Sequence, residues 1–414
     1  MKDRHKVIAA GRRISDWRAH WQKEGMSWRV EPEIPKQRKE VLRQRLSIQS
    51  SVERGQYPFK GLRLSRADVE WLLAEHGGAL GPVDWADPDQ RRRDGLDLRG
   101  ADLSGVNLTC LPLARIRGGL TPDEYIPIFG NHLWHSSQAA IDLRGANLFQ
   151  THLEGSTLTW AHLEGASFER SYLQQADLSD AHMGRASLRR AQLSGANLRF
   201  CTFDDRSNLN YAVLASTAEG CIKVGDTSWG GANLALIDWA AINALGDEET
   251  ARAVERDEAK TRAERVTAYK TAVRANRQLA VALLAQGASE ESARFAYRAN
   301  RLERNVHRYN HKYGRYVFNF MLDILAGFGY RPVRTLVIYL TTIVAFALMY
   351  FVITRASPSE AFTLSVTSFH GRGIIPSRDS VSTASAQLSM VEGVIGFVVE
   401  AALIATFAQR FLGR

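Results

Sequence analysis

The feature that most narrows what this chain can fold into is a five-residue period. It appears in Leu96-Asp-Leu-Arg-Gly, Ala101-Asp-Leu-Ser-Gly, Val106-Asn-Leu-Thr-Cys and Leu111-Pro-Leu, breaks, resumes at Ile141-Asp-Leu-Arg-Gly, and runs without a slip to Cys201-Thr-Phe. Such a period fits neither the helical repeat of about 3.6 residues nor the two-residue alternation of a flat strand. A chain that keeps these positions on one side must turn at regular corners, which describes a solenoid. Leu143, Leu148, Leu153, Leu158 and their successors to Phe203 would then stack in apolar columns, each burial contributing about 1.5–3 kcal/mol. Ala146, Ala161 and Ala176 would fill narrower inward sites, with Asp, Asn, Arg, His and Ser outside. Cys201 occupies such a small inward site and reads as core.

On these A(D/N)LXX units the segment resembles the pentapeptide-repeat family. The resemblance implies a right-handed, quadrilateral β-helix, here spanning 93–240, with the central Leu and the small residue two before it pointing inward. Residues 114–140, with Pro122, Pro127, Trp134 and two histidines, interrupt the period; a ligand or partner site and a tolerated insertion are equally open. Asn208-Leu209, Leu214 and Ala232-Asn-Leu read as an irregular final coil. The family includes gyrase inhibitors with an acidic, DNA-like surface. A net charge of +9 and outward Arg185, Arg189, Arg190 and Arg199 oppose that reading, which stays as the lesser, soluble alternative.

Residues 1–92 form a basic, partly helical region. Lys and Arg outnumber Asp and Glu by about two to one over the first sixty positions, yet no base-reading motif accompanies them, so no specific nucleic-acid partner is expected. Met1 to Val30 lacks the apolar stretch of a cleaved signal. Cys110, Cys201 and Cys221 are too sparse for a disulfide framework or metal knuckle. The histidines have no paired nucleophile or ligand spacing, so neither enzymatic activity nor a cofactor is expected. From 241 to 330 a helical linker is expected: an alanine-rich, charged helix from Asp247 to about Gly287, then a second, antiparallel one from Glu290 to His311, with Ser289 as N-cap. Tyr313 to Tyr330, carrying only Arg315 and Asp323 as charges, reads as a helix at a membrane face or a buried connector.

Residues 331–414 contain two apolar runs. Thr335 to Ile353 has no charge and, at about 1.5 Å per residue, can cross a hydrocarbon layer of about 30 Å. Leu388 to Ala408 contains Glu392 and Glu400 and is followed by Arg410 and Arg414. With Arg331 and Arg334 before the first run, both flanks are basic, so both termini are expected in the cytoplasm. Between the runs, a helix-compatible Ser359 to Ser368 precedes Phe369-His370-Gly371-Arg372-Gly373-Ile374-Ile375-Pro376.

That layout resembles the two-transmembrane-helix, potassium-channel-like family. The resemblance implies a tetrameric pore whose loop, 359–376, coordinates ions through backbone carbonyls, with Ser368, Phe369, His370, Gly371, Arg372 and Gly373 at the filter. Potassium-selective filters read Thr-Val-Gly-Tyr-Gly-Asp, so potassium selectivity does not carry over. Arg372 either enters the path or sits behind the filter, paired with Glu392 or a neighbouring subunit. Glu392 and Glu400 line a cation path or balance an arginine, and Gly393 and Gly396 permit close packing or bending. The expectation is an oligomeric ion channel of the bacterial inner membrane, with inorganic ions as permeant species and a cytosolic ligand or protein acting on the solenoid. The alternative is a membrane-anchored scaffold that never conducts.

Overall fold

The computed structural model describes residues 14–125, 132–355, 357–371 and 383–411. The chain forms two compact units, Met1–Thr261 with Arg274–Ser292 and Arg262–Val273 with Ala293–Arg414.

In the first unit the five-residue period becomes a stack of turns. Asp142 pairs with His162, Asn147 with Ser167, His152 with Tyr172 and Thr157 with Asp177, all parallel, so four repeats of five residues close one turn of 20. The ladder is regular: Leu163 N donates to His182 O at 2.9 Å and His182 N to Ala161 O at 3.0 Å. Leu148, Leu153, Leu158, Leu163, Phe168 and Leu178 are fully buried, as are Ala161, Ala176 and Cys201 between them. Burial pushes the Cys201 thiol far above its usual range, leaving it unreactive. From Ile141 to Phe200 each repeat closes on a left-handed residue whatever its identity, with φ of 60° at Asp180 and Arg185 and 72° at Gly195. For a non-glycine residue this costs about 1 kcal/mol; ladder bonds and column burial offset it. Leu178→Ala should therefore lower stability by about 3 kcal/mol, read as a fall in the thermal midpoint of the purified chain.

The stack starts before the first recognisable repeat. Arg63 pairs with Asp102, just ahead of a helix at Arg66–Ala79 that is capped by Ser65. Upstream lie α1 (Ile14–Lys23) and α2 (Lys36–Leu46), so the Arg66–Ala79 helix is α3. The buried carboxylate of Glu70 accepts from Val30 N, Glu31 N and Arg66 Nε, tying this region together.

The interruption is narrower than 114–140. Pro112 pairs with His152 and Arg117 with Thr157, so Ala114 to Arg117 remain in the coil with Ala114 and Ile116 buried. The sequence hides this turn because Gly118, close to Ile141 and Leu158, stands where a central leucine would mark the repeat. The excursion contains α4 (Pro122–Tyr125) and α5 (His132–Ala139). Glu124 fastens it to Arg99 at 2.9 Å and Arg117 at 2.5 Å, and Leu120 and Ala139 pack on Tyr57. Beyond 205 the columns continue through Leu209, Leu214, Val224, Trp229 and Leu234, and a hairpin of β1 (Ala215–Ser216) and β2 (Gly220–Cys221) bulges out.

The helix expected from Asp247 to about Gly287 is two: α6 (Gly246–Arg256) and α7 (Arg262–Ala285). Asp247, 1% exposed, explains the first of them: it accepts from Arg199 at 2.7 Å and from Val224 N at 2.6 Å, fixing the start of α6 to the last turns of the stack.

In the second unit, Arg262 donates to the Tyr309 carbonyl and Tyr269 stacks on Tyr309 at 6.1 Å, so the start of α7 lies against the end of α8 (Ser289–Tyr309) and the two are antiparallel. Next comes α9 (Tyr313–Ala326), which is inside-out for a helix in water. Its Asn319, Asp323 and Ala326 are buried, whereas Val317, Phe318, Phe320, Met321 and Ile324 are exposed. Then follow α10 (Pro332–Thr354), α11 (Pro358–Phe369) and α12 (Thr383–Phe411), which pack on one another. Two segments, Val333–Ile353 and Ala384–Ala408, are long and apolar enough to cross a membrane; only 11% and 17% of their residues are buried, unlike the core helices of a soluble domain.

Candidate pore module

Two spanning-length helices flank a helix that cannot span. The 12 residues of α11 reach only about 18 Å at ~1.5 Å per residue, well short of a bilayer core. Its start is built locally: Ser357 Oγ accepts from Glu360 N at 3.4 Å and Glu360 accepts from Ser357 N at 3.0 Å, a capping box followed by Pro358. Its end is also built locally. Gly371 adopts φ 69° and donates its N–H to Ser368 O at 3.0 Å, the left-handed close that glycine makes without strain.

A buried polar cluster fixes α11 between its neighbours. Ser365 Oγ lies 2.8 Å from Ile343 O of α10 and 2.5 Å from Glu392 Oε1 of α12. Ser365 and Glu392 are both fully buried. One turn on, Ser368 Oγ receives hydrogen bonds from Tyr350 of α10 at 3.3 Å and Ser389 of α12 at 2.9 Å. The Ser365 hydroxyl has one proton for two acceptors, and Glu392 Oε2 has no hydrogen-bond partner. Glu392→Gln, which adds an amide donor, should hold or raise the thermal midpoint. Glu392→Ala, which removes the partner and leaves a void, should lower stability by about 2 kcal/mol.

Apolar and aromatic contacts complete the joint. Phe369, 1% exposed, packs with Ile343 and Val399 and meets the Tyr339 ring edge-on at 4.9 Å. His370 Nδ1 donates to Val366 O at 2.8 Å, and its Nε2 lies 3.0 Å from Tyr339 OH. Gly393 and Gly396 let α12 approach the end of α11: a Cβ on Gly396 would collide with the Phe369 carbonyl, and one on Gly393 would sit 3.3 Å from Ser368 O. A groove of about 410 Å³ runs past Gly371, Ser389, Gly393 and Phe397.

Of the residues singled out from sequence, the structure thus brings together Ser368, Phe369, His370, Gly371, Glu392, Gly393 and Gly396. Glu400 lies apart, half-buried and with no ion-pair partner among the described residues. Arg372, Gly373 and the basic flank at Arg410 and Arg414 lie outside the described residues or their described side chains, and so does any Arg372–Glu392 pair. Sequence reasoning missed Tyr339, Tyr350, Ser365 and Ser389. The available signal was spacing: Ser365 and Ser368, like Ser389 and Glu392, are three apart and share a helix face.

The family described as pentapeptide repeats (8 copies) matches residues 141–180 and 171–205. Among solved structures, the chain is similar to the pentapeptide-repeat protein Rfr23 of the cyanobacterium Cyanothece 51142, with 25% identity over 32% of this chain and 90% of that one and a TM-score of 0.18. It is also similar to full-length QnrB1, a plasmid-mediated fluoroquinolone resistance protein, with 16% identity over 33% of this chain and 67% of that one and a TM-score of 0.16. A third is AT2G44920, a pentapeptide-repeat protein of the Arabidopsis thaliana thylakoid lumen, with 24% identity over 37% and 72% and a TM-score of 0.13. No curated protein matches the chain.

Proposed function

We propose that this pentapeptide-repeat protein is an oligomeric, non-enzymatic ion channel of the bacterial inner membrane. In this reading α10 and α12 cross the bilayer, α11 is the re-entrant helix, and the right-handed, quadrilateral β-helix senses or assembles on a cytosolic ligand or protein. The observation that carries the reading is the short, doubly capped α11, held between two spanning-length helices by Ser365 and Glu392 and ending at a left-handed glycine. A hairpin that only anchors a protein needs no third helix at that depth and no buried carboxylate, which is costly there. Arg331 and Arg334 put the start of α10 on the cytoplasmic side. One hairpin cannot enclose a pore, so several copies, a tetramer by the layout, surround it; exposed Val344, Leu348, Val394 and Phe397 then face lipid or a neighbouring copy.

Purified full-length protein in planar bilayers should give unitary currents, and exchanging potassium or chloride should move the reversal potential and identify the permeant charge. Inserted tetramers that stay silent across ions and pH would leave the non-conducting scaffold as the better account.

A further inference from the structure

Between α8, α9 and the C-terminal part of α12 lies a crevice of about 600 Å³, within the range of small-molecule sites. Its lining is mixed: Asn300, Glu303 and His307 of α8 and Arg315 of α9 are polar, and Phe318, Leu322 and Ala402 are apolar. Asn319, 9% exposed, also lines it; its Nδ2 donates to Asn300 O at 3.1 Å, while its Oδ1 has no hydrogen-bond partner. The exposed Arg315 guanidinium has no acidic partner among the described residues.

Water alone suits the apolar part of the lining poorly, and a purely apolar occupant would strand the Asn319 oxygen and the guanidinium. The matching occupant has a phosphate, an N–H donor a few ångströms away and hydrocarbon tails. Resting on the membrane reading above, we infer that the crevice holds a diacyl phospholipid with a primary-amine head, a phosphatidylethanolamine. Arg315 takes the phosphate, Glu303 and the Asn319 Oδ1 take the ammonium, and the acyl chains leave along Phe318, Leu322 and Ala402 toward the exposed apolar face of α9. A choline head has no N–H to give Asn319. A glycerol head places net negative charge against Glu303.

Full-length protein stripped of lipid in detergent is titrated with phosphatidylethanolamine, phosphatidylcholine or phosphatidylglycerol, and bound lipid is counted by native mass spectrometry. The ethanolamine lipid should be retained about tenfold better than either other lipid. Arg315→Gln should remove about tenfold of that retention, and Glu303→Gln should shift preference toward the glycerol lipid. Equal retention of the three lipids, or undiminished retention by Arg315→Gln, overturns this inference. In parallel, the protein is mixed with ethanolamine–glycerol lipid vesicles and floated; failure to float overturns the membrane reading itself, and flotation without lipid preference overturns only the inference.

Discussion

In the proposed channel, Gly396→Ala should silence conduction without preventing assembly, with unitary currents falling at least tenfold while the oligomer persists on size-exclusion chromatography. The added methyl would meet the Phe369 carbonyl carbon at 2.9 Å and its Cα at 3.0 Å, with the oxygen closer still. Backbone, not a flexible side chain, stands in the way, so α12 must move off the end of α11. Overpacking of this kind costs about 1–3 kcal/mol and would displace Phe369, His370 and Gly371 together. Gly393→Ala is the graded control: its Cβ would stand 3.3 Å from Ser368 O, a contact a small shift relieves, so most of the current should survive. Equal effects of the two substitutions would count against the close approach at Gly396 as the cause.

Asp323→Asn should loosen α9 from α8, within the helical segment that leads into the first spanning-length helix. The Asp323 carboxylate accepts from Tyr297 OH at 2.7 Å and Arg304 Nη2 at 2.7 Å, with Arg301 and Arg334 each at 3.7 Å. Arg301 and Arg334 are substantially exposed and add little; Tyr297 and Arg304 carry the contact. Loss of the charge should cost about 2–3 kcal/mol and, in a conducting preparation, change the open fraction of the proposed pore. Burial works to raise the Asp323 carboxyl, but the Tyr297 and Arg304 hydrogen bonds and the arginine charges outweigh it and hold it below the usual carboxylate range. The sign follows: with the folded value depressed, the stabilisation is complete above the unfolded carboxylate value of about 3.9 and is lost as pH falls through the folded value. The gap in thermal midpoint between wild type and Asp323→Asn should be constant from about pH 8 to 5 and close below about pH 4. A gap that narrows near neutrality instead would point to another group.

The repeat was legible because each central leucine announces its own column, and the reading fails where that leucine is absent. Gly118 made the turn through Ile116 look like loop. No glycine or proline marks the break at Asp257–Thr261, and the helix-forming residues on either side mask it. The spanning-length helices were visible as long apolar runs, the first without a charge. The Glu392 cluster was not, since Ser365 precedes Glu392 by 27 positions and the Ile343 carbonyl that Ser365 also reaches belongs to a third helix. The resemblance gave Gly371 a place at the filter; the structure adds that its left-handed backbone closes α11.

Because a winding of the solenoid touches only the windings above and below it, the stack behaves as a ruler graduated in units of about 4.8 Å. Excising residues 162–181 would remove one whole graduation, joining Ala161 to His182, which already stands one level above His162. Leucine columns would close over the cut, while a partial deletion within these regular windings would turn later side chains to another wall; at Ser187–Asn208 and Asn197–Lys223 the windings absorb extra residues without shifting the columns. Distance along this axis is therefore adjustable in whole steps only, so any reach it sets between two binding partners is quantised.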